Sequence, residues 1–391
     1  MKLNRYCTYI KRKNEQKNYI NYLPAVNRLS VCIAQTDTTS KKKEPSKFDK
    51  FNAKAEHLFK IIPVPIISYS SDAGNTYGLA KNNIINLSKK DTISKGSKLS
   101  EVITFSTKGR VNFSVSTELI FNQNKNIVIG FINYRKQPEY IFGIGNDVKR
   151  EDIESVQYER IKFFATGMKL VRKNLYVGIP IDVGYYFNIK PDSGANSFLV
   201  KNNVPGLNGG FTFGTGVAAA FDSRENRYNP QQGAFAMATL VFHPEFLSDY
   251  NYTHFEIDLR KYFNPWKKHI IAVQATTSSN SGNTPYYEMS MLGGEKQMRG
   301  YYLGAYRDKV LVDAQVEYRL PIWNIFGATA WIGTGRVASA YNDLSLQGWK
   351  LSYGAGLRIR VDTKNNTNLR VDFGFGPKGI SGAYFSFAEA F

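Results

Sequence analysis

One stretch limits what this chain can fold into more than any other: WKLSYGAGLRIRVD, Trp349 to Asp362. Trp349, Leu351, Tyr353, Ala355, Leu357, Ile359 and Val361 fall on one parity. Lys350, Ser352, Gly354, Gly356, Arg358, Arg360 and Asp362 fall on the other. A strand sends alternate side chains to opposite faces, so one face is wholly apolar and the other carries charge. Leu369, Val371, Phe373 and Phe375 oppose Arg370, Asp372 and Gly374 in the same way. So do Val312, Ala314, Val316, Tyr318 and Leu320 against Asp313, Gln315, Glu317 and Arg319. A strand whose apolar side meets lipid and whose polar side lines an interior has this pattern.

Sixteen such segments follow one another, near 61–70, 76–87, 99–107, 109–121, 125–135, 154–170, 173–188, 209–222, 232–243, 252–263, 268–277, 309–320, 324–338, 348–362, 367–376 and 382–391. An even count, with long links such as 136–153, 189–208 and 278–308 set against tight turns such as RKN and TKNN, predicts an all-β fold. The specific expectation is a 16-stranded antiparallel transmembrane β-barrel over 61–391, in the bacterial outer membrane, its sixth surface loop lying between strands eleven and twelve. No apolar run approaches the length of a helical span. Mean hydropathy is −0.35, which alternation between lipid-facing and interior residues accounts for. A propeller would show a repeat, and none is present. Pro63 and Pro65 remove ladder donors from the first strand, so its seam with 383–391 is expected to be weak.

The remaining composition narrows function. Residues 1–34 read as an atypical signal peptide, interrupted by Asn27 and Arg28, and 35–60 as a flexible periplasmic lead-in. The only two cysteines, Cys7 and Cys32, precede the barrel, so the barrel holds no disulfide framework. The net charge of +19 is spread along strands and turns, which suits anionic lipid headgroups better than nucleic acid. His254, Glu256 and Asp258 share a face, as polar residues on any interior face do, and are not taken as a metal or acid–base set. FGTGVA, Phe213 to Ala218, imitates a dinucleotide fingerprint, but no helix follows it. With four histidines and no organised triad, the chain reads as neither an enzyme nor a cofactor protein. A passive pore remains open on these grounds.

The link before strand twelve is more particular: GGEKQMRGYYLGAYRDK, Gly293 to Lys309. With MLGG before it and VEYRLPI after it, this region resembles the bacterial surface antigen family, the BamA- and TamA-like barrels. DSRENRYNPQQG, Asp222 to Gly233, is similar to that family's periplasmic turn. The resemblance covers about 61–391 and implies a monomeric barrel that assists insertion, assembly or translocation of outer-membrane proteins in a complex, with unfolded outer-membrane proteins as partners. It implies that Arg299, Gly300 and Tyr301 fold into the lumen as a latch. Glu317, on the polar face, is the natural carboxylate for Arg299. Trp331 and Gly335 are expected as further lumen partners. The family places an Asp where this chain has Gly333, so a different pairing is expected. It also implies periplasmic POTRA modules, for which 35–60 is too short, so the chain reads as a barrel-only member. Gly382, Phe385, Phe387 and Phe391 are expected as a terminal β-signal. Phe385, Phe387 and Phe391 are expected together on the outer face, in an interfacial aromatic girdle.

Overall fold

A computed structural model describes residue 50 and residues 63–391 apart from 71–73, 89, 108, 150–152 and 364. The expected signal peptide and nearly all of the lead-in lie outside the described residues. The first six strands are β1 (Val64–Ser70), β2 (Gly74–Ile85), β3 (Ser97–Ser106), β4 (Val111–Phe121), β5 (Asn126–Ile141) and β6 (Glu154–Arg172). Then come β7 (Leu175–Pro191), β8 (Gly210–Asp222), β9 (Gly233–His243), β10 (Tyr252–Trp266) and β11 (His269–Gly282). Two short strands, β12 (Ser290–Leu292) and β13 (Tyr306–Asp308), lie within the sixth loop. The chain ends with β14 (Val310–Trp323), β15 (Phe326–Ala338), β16 (Lys350–Asp362), β17 (Thr367–Phe375) and β18 (Ser381–Phe387).

Sixteen strands form one sheet in the order β1 to β11, then β14 to β18, each antiparallel to its neighbours. β12 and β13 form a separate hairpin that period-two reasoning missed, because three-residue strands carry no readable alternation. β5 extends to Ile141 and β11 to Gly282, well past the expected ends.

Register turns the alternation into two walls. On the outside, Val316, Ile332, Tyr353 and Phe375 are successive cross-strand partners, and all are exposed. On the inside, Glu317, Trp331, Gly354, Gly374 and Gly382 form an equivalent row. The sheet curls, since Lys98 on β3 lies 5.5 Å from the ring of Phe387 on β18. The concave side is filled by charged and aromatic groups, so the apolar core of an ordinary soluble protein is here turned outward to face lipid.

Two expectations fail. A bulge between Arg360 and Asp362 breaks the alternation of β16 and buries Val361, which strict parity would put outside. The second concerns the C-terminus. Phe385 is exposed on the outer wall, but β18 ends at Phe387 and Ala388 adopts a positive φ of 73°. The last residues turn inward, and Phe391 is buried with Ala390, Tyr262 and Ala272. Phe391 therefore does not share the outer face with Phe385. The reason is electrostatic: Arg319 donates to the Phe391 carbonyl oxygen at 2.9 Å and lies over its ring at 5.5 Å, while Glu389 accepts from Arg358 at 2.6 Å.

Candidate functional site

The sixth loop, 283–309, enters the concave side of the sheet. Arg299 sits at its centre, fully buried. One guanidinium nitrogen is 2.6 Å from Glu317 on β14, and another is 2.6 Å from Asp372 on β17. The guanidinium carbon lies 3.7 Å from the ring centroid of Trp331 on β15. A planar fork held by two carboxylates and stacked on an indole is a task for arginine and not for lysine. Only one carboxylate was expected. Gly333, where the family has an Asp, pairs across the ladder with Gln315, and Asp372 supplies the second negative charge from the far side.

The inner row explains why the loop fits. A Cβ on Gly354 would lie 2.4 Å from the Trp331 ring, so glycine there makes room for the indole. Gly300 has a φ of 111°, and a Cβ on it would lie 2.8 Å from the Phe375 backbone nitrogen. Gly374 meets the loop from the other side, its own Cβ position being 2.5 Å from the Arg299 carbonyl carbon. The loop backbone therefore crosses β17 with no side chain between. Gly300 N–H donates to the Tyr384 hydroxyl at 2.8 Å, and Ser352 donates to the Arg299 carbonyl at 2.6 Å. Tyr301 is buried, donates to the Leu351 carbonyl at 2.9 Å, and has its phenol pushed up to about 12 by burial. Gly335 faces Leu292 and Met298 of the loop, with its Cβ position 3.1 and 3.2 Å from them. Gly382 leaves room for Tyr384, the acceptor for Gly300.

The Arg299 contacts belong to a wider lattice. Glu317 also accepts from Arg319 at 2.7 Å, and Asp372 from Arg358 at 2.6 Å and Arg370 at 3.2 Å. Glu389 joins through Arg358. Burial opposes ionisation of Glu389, but Arg358 and Arg319 outweigh it and hold its carboxyl below its ordinary value. Sharing three carboxylates among four arginines lets buried charges stay paired, the condition under which they are tolerated.

Two further anchors fall outside the Arg-Gly-Tyr motif. Arg307, fully buried, binds Glu139 of β5 at 2.5 Å, and its carbonyl accepts from Gly145 N–H at 2.8 Å. Glu288 binds Lys162 of β6 at 2.6 Å, and Lys162 binds Asp182 of β7 at 2.9 Å. Above them Tyr287 stacks on Tyr186 at 3.7 Å within a cluster that includes Leu199 and Val204 of the β7–β8 loop. Sequence reasoning passed over Glu139, Lys162 and Glu288. For Lys162 the available signal was a charged residue of inward parity, but Glu139 and Glu288 fell in the expected links 136–153 and 278–308, and partnership across more than 100 positions is not legible in a pattern.

At the opposite, short-turn end, the β8–β9 link folds across the interior. Asp222 binds Arg224 and Arg227 at 2.9 Å each, and Arg227 also meets Glu118 of β4. Asn226 donates to the Asn365 carbonyl at 2.7 Å, and Lys95 to the Arg224 carbonyl at 2.7 Å. The turn thus touches links from both halves of the sheet. Of the polar trio on β10, His254 sits 2.9 Å from Asn280, and Asp258 accepts from Arg260 at 3.0 Å. His254 also lies 3.8 Å from Glu256, while Asp258 is engaged by Arg260 and Gln274, so the three are not gathered into one set.

An Omp85 superfamily domain is matched over residues 75–391. Among solved structures the chain is similar to BamA from Haemophilus ducreyi lacking POTRA domains 1–3, at 14% identity and a TM-score of 0.50, covering 87% of this chain and 76% of that one. It is similar also to CdiB from Escherichia coli, at 10% identity and a TM-score of 0.52, covering 88% of this chain and 70% of that one. At such identity these likenesses concern the fold. Comparison with curated proteins finds no match. The domain match extends over most of the chain and takes in both the inserted loop and the β8–β9 turn: this protein belongs to the Omp85 superfamily of bacterial outer-membrane β-barrel proteins.

Proposed function

We propose that this Omp85 barrel assists the insertion, assembly or translocation of outer-membrane proteins, working with other envelope components. The observation that carries the reading is the sixth loop, folded inward and held at Arg299 by two carboxylates and an indole. A passive pore gains nothing from filling its own passage. A barrel that must keep its wall poised while a substrate passes does gain from an internal strut that ties β14, β15 and β17 together. In this reading the short-turn end faces the periplasm, residues 1–34 direct export, 35–60 form a lead-in, and the barrel acts as a monomer. β1 and β18, the two edges of the sheet, close the ring as its weakest seam. Pro65 lies within β1 and has no N–H to give.

The test is reconstitution. The full chain in liposomes of outer-membrane composition should raise the yield of folded, protease-protected outer-membrane protein supplied unfolded, and Arg299→Ala should lower that yield. Co-purification from the outer membrane should recover envelope partners. No stimulation by wild type, together with large, open conductance in planar bilayers, would replace the reading with that of a passive pore.

A further inference from the structure

The outer wall carries a dent that the inserted loop does not explain. Across β5 to β10 a hollow of about 950 Å³ opens outward. Its base is made of small residues, Gly167, Ala219 and Ala238, and its sides of Ile179, Val217 and Phe255. Register sets this shape. Lys169, Val177, Ala219 and Ala238 are successive cross-strand partners. One level along, Gly167 pairs with Ile179, and Val217 with Leu240, whose other partner is Phe255. A second feature coincides with the dent. The β7–β8 ladder runs from Leu175 to Gly178 and resumes only at Ile181 opposite Thr215. Pro180, in that gap, has no N–H to donate, so the two strands are not laced together at the level of the dent. At this volume the hollow stands at the upper end of small-molecule pockets.

The rim supplies the chemistry. Lys169 is exposed on the outward face, and Lys125, Arg172 and Lys173 are exposed at the two short turns beside it. Neither 119–138 nor 160–181 contains a carboxylate, so the strands and turns that carry these cations supply no counter-charge of their own, and Asp91, which reaches the β4–β5 turn, is taken up by Gln123 N–H and the Ser94 hydroxyl. An apolar hollow inside the hydrocarbon layer, with cations at its headgroup end, matches one kind of occupant: an anionic phospholipid. We propose that the dent is a phospholipid site, in which an acyl chain lies over Gly167, Ala219 and Ala238 and the phosphodiester meets Lys169. A protein segment could use the apolar floor but would not need the cations at its rim.

The test uses the full chain, extracted in mild detergent, delipidated, and mixed with phosphatidylglycerol and phosphatidylcholine in equal amounts. Native mass spectrometry then counts the lipid retained. Wild type should retain one phosphatidylglycerol in preference to phosphatidylcholine. Lys169→Gln should weaken that retention about fivefold, the effect of one basic residue near a headgroup. Ala219→Phe should abolish it by filling the hollow with a side chain that a lipid-facing position tolerates. Ala238→Val, a smaller intrusion, should lower it partially and serves if Ala219→Phe fails to fold, with heat-modifiable mobility reporting the folded barrel. Millimolar inorganic phosphate should leave the lipid in place. Equal retention in wild type and variants, displacement by phosphate alone, or phosphatidylcholine retained as well as phosphatidylglycerol would each overturn the proposal. So would a co-purified protein segment occupying the dent.

Discussion

Arg299→Ala is the perturbation that separates a strut from a decorative buried charge. Arg299 makes two charge-assisted contacts at 2.6 Å and one ring contact at 3.7 Å, all out of water. Stripping one member from an isolated buried pair costs roughly 3–5 kcal/mol. Here neither carboxylate is stranded. Glu317 keeps Arg319 at 2.7 Å, and Asp372 keeps Arg358 at 2.6 Å. The cost therefore falls to about 2–3 kcal/mol, the sum of two lost bonds to charged groups less the pairing that survives. Because Arg307 and Glu288 still hold the loop at Glu139 and Lys162, that cost should appear as local opening between Gly293 and Gly304 and not as unfolding of the sheet. An opening equilibrium shifted by that much rises roughly 30- to 150-fold. The assay is limited trypsin digestion of the protein in proteoliposomes, following cleavage after the exposed Lys296, with single-channel conductance alongside. Faster cleavage and higher or noisier conductance are expected. An isolated pair would make the Arg299→Ala, Glu317→Ala double variant no worse than either single. The lattice implies otherwise, since Glu317→Ala also strips Arg319, which holds Phe391, so the double variant should exceed Arg299→Ala. Wild-type cleavage and conductance in Arg299→Ala would refute the argument, and equal effects in all three variants would refute the shared lattice.

Other outcomes follow from the same geometry. Gly300→Ala forces a Cβ against the β17 backbone at positive φ, and should cost roughly 1–3 kcal/mol and open the same loop segment to trypsin. Lys162→Met strips Glu288 of its cation and leaves Asp182 only His243 at 3.5 Å, and should loosen the loop near Tyr286, read as faster hydrogen exchange at 284–290, while leaving Lys296 cleavage near wild type. Glu389 has its folded-state carboxyl held below the ordinary value, so its contribution is present above about pH 4.3 and is lost as pH falls through the depressed folded value; the tail should therefore become accessible to carboxypeptidase only in acid, and Glu389→Gln should expose it at neutral pH. A cysteine in Val64–Ser70 paired with one in Ser381–Phe387 should crosslink at one register, and failure at every register would remove the closed seam.

Alternation alone determined the wall. A side-chain period of two over sixteen segments specifies strands, their two faces and the medium each face meets, because burial in lipid and exposure to a polar interior act on every residue independently of its distant partners. The same local logic placed Glu317 on the inner face and marked the Arg299 segment as out of the ordinary, while Trp331 was reached only through the family resemblance. It misplaced Phe391 because parity assumes the strand continues, and only the pull of Arg319 and Arg358 ends β18 at Phe387 and draws the tail inward. It could not find Asp372, Glu139 or Lys162 as loop partners, because those pairings depend on how far the sheet curls and on which strands the curl brings opposite the loop. Nor could it see that Gly354, Gly374 and Gly382 line up with Glu317 and Trp331 in one row, since register is set by turns and bulges summed around the whole sheet. The faces are a property of each strand, but the site is a property of the closed-in space between strands far apart in the chain, and only the tertiary structure decides what meets there.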